Sequence, residues 1–133
     1  MNFRYTAAFL SCCFFLPASI SFDAHAGEQN RLVVVTANGD EFYFLPPTLK
    51  RSGDEVTVEV LMNYGHPDPF NNACSSIQVT RFDCEKGKFQ IMSDKFFSKK
   101  MGKGRIVQAA DWPMPAFPTP KGSAWQMVQK LVC

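Results

Sequence analysis

Glu55-Val56-Thr57-Val58-Glu59-Val60-Leu61-Met62-Asn63-Tyr64 alternates along its whole length. Val56, Val58, Val60, Met62 and Tyr64 share one parity, and Thr57, Glu59, Leu61 and Asn63 the other. Successive side chains of a strand point to opposite faces, so this period of two predicts a half-buried strand in an antiparallel sheet. Upstream, Arg31 to Thr36 is rich in β-branched residues, Asn38-Gly39 is a strong hairpin signal, and Glu41-Phe42-Tyr43-Phe44-Leu45 returns. Pro46-Pro47 predicts the end of that strand, because proline cannot donate to a ladder. Arg51-Ser52-Gly53-Asp54 then predicts a turn into Glu55.

Downstream, Gly65 to Asn72 is a loop by composition. Ser75 to Cys84 reads as extended but alternates imperfectly: Ile77 and Val79 share one parity, Phe82 and Cys84 the other. A bulge, or burial on both faces, accounts for this. Glu85 to Lys88 is a turn, and Phe89 to Phe97 returns with Phe89 and Ile91 on one side. Lys99 to Gly104 reads as a basic, flexible connection into Arg105 to Ala109. Pro113, Pro115, Pro118 and Pro120 argue against regular structure until the last element. There Trp125, Val128 and Val132 fall at i, i+3 and i+7, with Ala124 and Leu131 beside them, which predicts one apolar helical stripe. The expected fold is α+β: a meander of about six antiparallel strands with one C-terminal helix packed on a face of the sheet. No internal repeat or second domain is visible.

The N-terminus predicts export. Met1 to Arg4 carries one positive charge, Tyr5 to Leu16 is mostly apolar, Pro17 and Ser19 break the run, and Ala24-His25-Ala26 precedes Gly27. This is the three-part pattern of a secretory signal peptide over residues 1–26, and its apolar run is too short to span a bilayer. Bulky Phe9 and Leu10 before Cys12 argue against a lipid anchor. Residues 27–133 then form one small domain, located in the periplasm, on the outer cell surface or in the medium. No later stretch is apolar enough to be a transmembrane segment.

Cleavage leaves His66 as the only histidine and Cys74, Cys84 and Cys133 as the cysteines. An oxidising compartment allows these three one bridge and one leftover thiol. Cys74 and Cys84 lie on one predicted strand, where ten residues span ~33 Å. A bridge needs Cα atoms within about 7 Å, so that pair is disfavoured. Cys84–Cys133 and Cys74–Cys133 remain.

The order of motifs resembles the surface-adhesin protein E-like family of Gram-negative bacteria across nearly all of residues 27–133. The residues that carry the resemblance are Phe42-Tyr43-Phe44, the Pro–basic–Gly-Asp turn from Pro47 to Asp54, the strand Val56 to Tyr64, and Arg81-Phe82-Asp83-Cys84. Paired Phe96-Phe97, Trp112-Pro113 and the terminal run from Gly122-Ser123-Ala124-Trp125 to Cys133 complete it. Phe-Asp-Cys after a strand and Trp-to-Cys at the end are the specific parts. The resemblance implies an antiparallel sheet whose C-terminal helix is tied by a Cys84–Cys133 disulfide. It also implies an adhesin-like role, since the family includes a dimeric adhesin for host matrix and serum proteins; a homodimer is among the assemblies it implies. Cys74 lies outside the family pattern, and no ligand-binding residue carries over.

Catalysis finds little support. Acid–base and metal chemistry need converging titratable groups. His66 and Asp68 share a loop, but His-Pro-Asp-Pro is more often a plain turn. Cys74 has no evident base beyond His66, and Gly102-x-Gly104 is too short to cradle a phosphate. The chain therefore reads as a non-enzyme with no cofactor and no metal.

Charge is the remaining lead. The whole chain is near neutral at +2, yet residues 28–60 hold three basic and six acidic side chains and residues 81–105 eight basic and three acidic. The second stretch interleaves Phe89, Phe96 and Phe97 with basic residues. Export argues against nucleic acid and favours a protein or polyanionic glycan as partner. The candidate partner-binding residues are Lys95, Lys99, Lys100, Lys103 and Arg105, against the plainer reading of a solvated polar face with core phenylalanines. Two functions follow: a non-catalytic, adhesin-like binding protein at the cell envelope, or a periplasmic structural or accessory protein, such as an inhibitor or assembly factor, with an internal partner.

Overall fold

The computed structural model describes residues 30–133, so the expected signal peptide over residues 1–26 lies outside the described residues. Six strands run as an antiparallel meander: β1 (Arg31–Val35), β2 (Glu41–Ser52), β3 (Glu55–Asn63), β4 (Ser75–Asp83), β5 (Lys88–Phe97) and β6 (Ile106–Ala110). A two-residue β7 (Phe117–Pro118) also pairs with β5, and α1 (Ala124–Val132) ends the fold.

The alternation of β3 becomes the core. Val56, Val58 and Val60 are buried on one face with Phe42, Phe44 and Phe82, and Val128 and Val132 of α1 close over them. Trp125 extends this layer, stacking on Phe89 with centroids 5.2 Å apart and meeting Phe42 edge-on at 5.6 Å. Helix formation follows from local sequence: Ser123 caps the N-terminus through Gln126 N, while the Gln126 side chain accepts from Gly122 N at 2.8 Å. This approximates a capping box. At the other end Arg51 donates to the Val132 carbonyl at 2.5 Å. A cation there also complements the helix dipole, so Arg51→Ala is expected to lower stability by about 1 kcal/mol, read from denaturant midpoints.

Cys84 and Cys133 form the disulfide, with Cα atoms 5.6 Å apart, tying the end of α1 to the end of β4. Cys74 is free and half-buried. The expected α+β sheet-and-helix architecture is thus observed, and so is the pairing implied by the family resemblance.

Three local expectations are corrected, and the alternatives left open for β4 are decided. β2 does not end at Pro46-Pro47 but continues to Ser52. Thr48 stands in for the lost ladder there, donating its hydroxyl to the Leu45 carbonyl at 2.7 Å and accepting from Glu59 N at 2.9 Å across a register shift. The register of β3 with β4 is unbroken, so the irregular apolar pattern of β4 reflects both of its faces; the shift lies between β4 and β5. The proline-rich segment is not wholly irregular, because Met114 N donates to the Ile91 carbonyl and β7 pairs with β5. Leu131, expected beside the apolar stripe, is exposed.

Candidate functional site

The opposite face of the sheet carries the basic residues. Leu61 and Asn63, on the supposedly polar parity of β3, are both buried, at 1% and 2% exposure. They are covered by the loop between β5 and β6, which is not the flexible connection its glycines suggest. Asn63 accepts from Met101 N at 2.7 Å, and its amide reaches the Met101 sulfur at 3.0 Å. Buried Ser75 donates its hydroxyl to the Lys99 carbonyl at 2.5 Å and accepts from Gly102 N at 3.0 Å. The loop also closes on itself through Ser98 N to Arg105 O and Lys99 N to Lys103 O. Gly102 has φ +65°, and a Cβ there would come within 2.7 Å of Ile77 Cδ1. Glycine thus serves close approach here as well as turning.

Lys99, Lys100, Lys103 and Arg105 consequently project, exposed, from a loop whose backbone is anchored. Lys95 is exposed on the same face: it pairs in register with Ile77, the residue under Gly102. It borders a groove of about 210 Å³ that also includes Glu59, Phe97 and Asp111. None of these five basic groups lies within 4 Å of a carboxylate among the described residues, where the one ion pair is Arg81–Glu55 at 3.9 Å. The linear cluster is therefore split. Lys86, in the turn before β5, and Lys88, its first residue, sit at the opposite end of that strand from the loop, and of the phenylalanines Phe97 borders the Lys95 groove. Phe89 packs on Trp125 instead.

The other sequence leads come apart. His66 and Asp68 border an open cleft of about 550 Å³ with Asp40 and Tyr64, but the Asp68 carboxylate is already used by Phe70 N and Asn71 N. Among the described residues no cluster of three or more histidine, cysteine or acidic groups is placed to hold a metal ion.

Asp94 escaped sequence reading. On the helix-bearing face it pairs in register with Gln78, and its buried Oδ1 has no donor among the described residues. Burial raises its pKa above the ordinary 3.8. A carboxyl that holds its proton more tightly when folded contributes stability that is complete below pH 3.8 and is lost as pH rises through the raised folded value. Asp94→Asn should therefore melt higher than the unmodified protein at pH 7, with the gap closing as pH falls toward 3.8. Melts across pH check both statements. Nearby, burial chiefly raises the pKa of Tyr64; a hydrogen bond with Ser76 opposes this, and the Asp68, Asp94 and Asp40 charges add to it.

Fold and site together define a small, disulfide-tethered sheet-and-helix domain that presents a basic loop. A family model described as Surface-adhesin protein E matches residues 32–133, and the chain belongs to that family. Its fold is similar to crystal form II of Haemophilus influenzae protein E, with a TM-score of 0.63, 13% identity, and coverage of 82% of this chain and 90% of that one. A selenomethionine form of the same Haemophilus influenzae protein gives 0.62 at 13% identity, covering 82% and 88%. Protein E from non-typeable Haemophilus influenzae gives 0.59 at 13% identity, covering 83% and 78%. No curated protein matches the chain in sequence. Among the described residues no helix is long and apolar enough to cross a membrane.

Proposed function

We propose that this chain is an exported, non-catalytic, adhesin-like binding protein that engages an acidic protein or polyanionic glycan at the cell envelope. The observation that carries this reading is the anchored β5–β6 loop, where buried Asn63 and Ser75 hold the backbone while Lys99, Lys100, Lys103 and Arg105 stay exposed and unpaired with described carboxylates. Anchoring reduces the ordering cost of binding, and clustered charge of one sign attracts a polyanion. Lys95 extends the patch along β5. Family membership supports the adhesin-like role.

Changing Lys99, Lys100 and Lys103 together to glutamine tests it. Three exposed charge contacts of about 0.2–1 kcal/mol each predict a loss of about threefold to a hundredfold in heparin affinity, with an unchanged melting temperature. Binding should also collapse between 0.1 M and 1 M salt, where the Debye length falls from about 10 Å to about 3 Å. Heparin binding indifferent to both changes would reduce the patch to a solvated face. Protease accessibility on intact cells separates surface display from the periplasmic accessory role.

A further inference from the structure

The helix covers only part of its face of the sheet. Beyond it, Ile91, Asp94, Phe96, Gln108, Trp112 and Met114 border a cavity of about 200 Å³. That is below the roughly 300–1,000 Å³ of most small-molecule sites and suits a single side chain. Apolar and aromatic groups dominate its walls, and no basic residue lines it. Asp94 supplies the one charge. Among the described residues its Oδ1 has no donor, and neither has Oε1 of Gln78, the residue paired with it in register, which is only 9% exposed. Buried acceptors without donors are uncommon in folded proteins and call for a missing partner. Rotating the Gln78 amide would offer Asp94 one donor but leave its charge unpaired. Trp112, 70% exposed, adds an open ring beside the carboxylate. A carboxylate next to an aromatic face is the chemistry that receives a guanidinium.

The cavity also opens at the border of the sheet. β6 is the last strand in the sheet order, pairs only with β5 among the described residues, and exposes Ile106, Gln108 and Ala109. An edge strand can accept another strand through its backbone, with side-chain pockets giving selectivity. Ala110 lies directly across from Asp94, and its small side chain leaves that path open.

We propose that this edge binds an extended peptide segment that adds alongside β6 and places an arginine side chain in the cavity, against Asp94 and Trp112. This site is separate from the lysine loop, does not depend on it, and selects the opposite charge.

The test uses N-acetylated, C-amidated heptapeptides of alternating threonine and valine with a central arginine, and their counterparts with central citrulline or lysine, titrated by calorimetry into the protein. Citrulline keeps the shape of arginine but is neutral. Arginine is expected to bind about tenfold or more tighter than citrulline, and Asp94→Asn should remove that preference while leaving the protein folded. Lysine should fall between them, since it lacks the planar fork. Ala109→Pro, which disrupts the edge, should weaken all three peptides alike, and free agmatine should bind more weakly than the arginine peptide. Equal binding of arginine and citrulline peptides, an arginine preference that survives Asp94→Asn, or agmatine binding as tight as the peptide would overturn the proposal. Melting curves of both variants confirm that any loss reflects the site rather than unfolding.

Discussion

Cys133→Ser should lower unfolding free energy by about 4 kcal/mol and release the end of α1 from the sheet. The bridge joins residues 49 positions apart, so in the chain-entropy view it removes a large set of unfolded conformations. A small domain has only about 5–15 kcal/mol to lose, so this is a large fraction of its stability. The effect should be local as well as global. Val132, 3% exposed, precedes the bridge, and its carbonyl receives the Arg51 guanidinium. Amides of the last turn should therefore exchange faster in the variant than those of β3. A denaturation midpoint equal to that of the unmodified protein would show that packing alone holds the helix. Cys74→Ser serves as the control and should leave stability nearly unchanged, because Cys74 is not bridged.

The second large effect is expected at Trp125. Its ring bridges the helix to two different strands, stacking on Phe89 of β5 and meeting Phe42 of β2 edge-on. Truncation to alanine removes both contacts together with the ring's packing against the core. Buried aromatic-to-alanine changes cost about 3–5 kcal/mol, and because Trp125 is only half-buried the loss should lie near the lower figure, about 3 kcal/mol. Trp125→Phe should recover much of it. An unchanged melting temperature in the alanine variant would mean that the ring makes no net contribution.

Much of this architecture was legible because local patterns and tertiary packing agree. The period of two from Val56 to Val60 and the stripe of Trp125, Val128 and Val132 both mark the faces that meet in the core. Asn38-Gly39 also turns where expected, with Gly39 at φ +82°. The mismatches arose where a side chain took over backbone work. Thr48 carries β2 past two prolines by hydrogen bonding in place of the ladder, an arrangement no propensity encodes. Glycines at 102 and 104 suggest mobility, yet Asn63 and Ser75, 38 and 27 residues upstream of the amides they hold, anchor that loop. One signal was available: Leu61 is apolar on the nominally polar parity of β3, which hinted that something covers that face.

The candidate site was legible in part. Clustered lysines could be counted, but their partition between the two ends of β5 depends on strand length and register. Asp94 gave no sequence signal, because a single acid within a strand looks like any solvated residue. Its significance depends on pairing with Gln78 and on burial, both of which are tertiary properties.

A polyanion is proposed to meet the anchored loop between β5 and β6. Chemical-shift mapping of the labelled protein titrated with a heparin oligosaccharide tests this most directly. Shifts are expected to concentrate at Ser98 to Arg105 and at Lys95 and to weaken as salt is raised. Shifts centred instead on the Lys86–Lys88 turn, or none at saturating oligosaccharide, would contradict it.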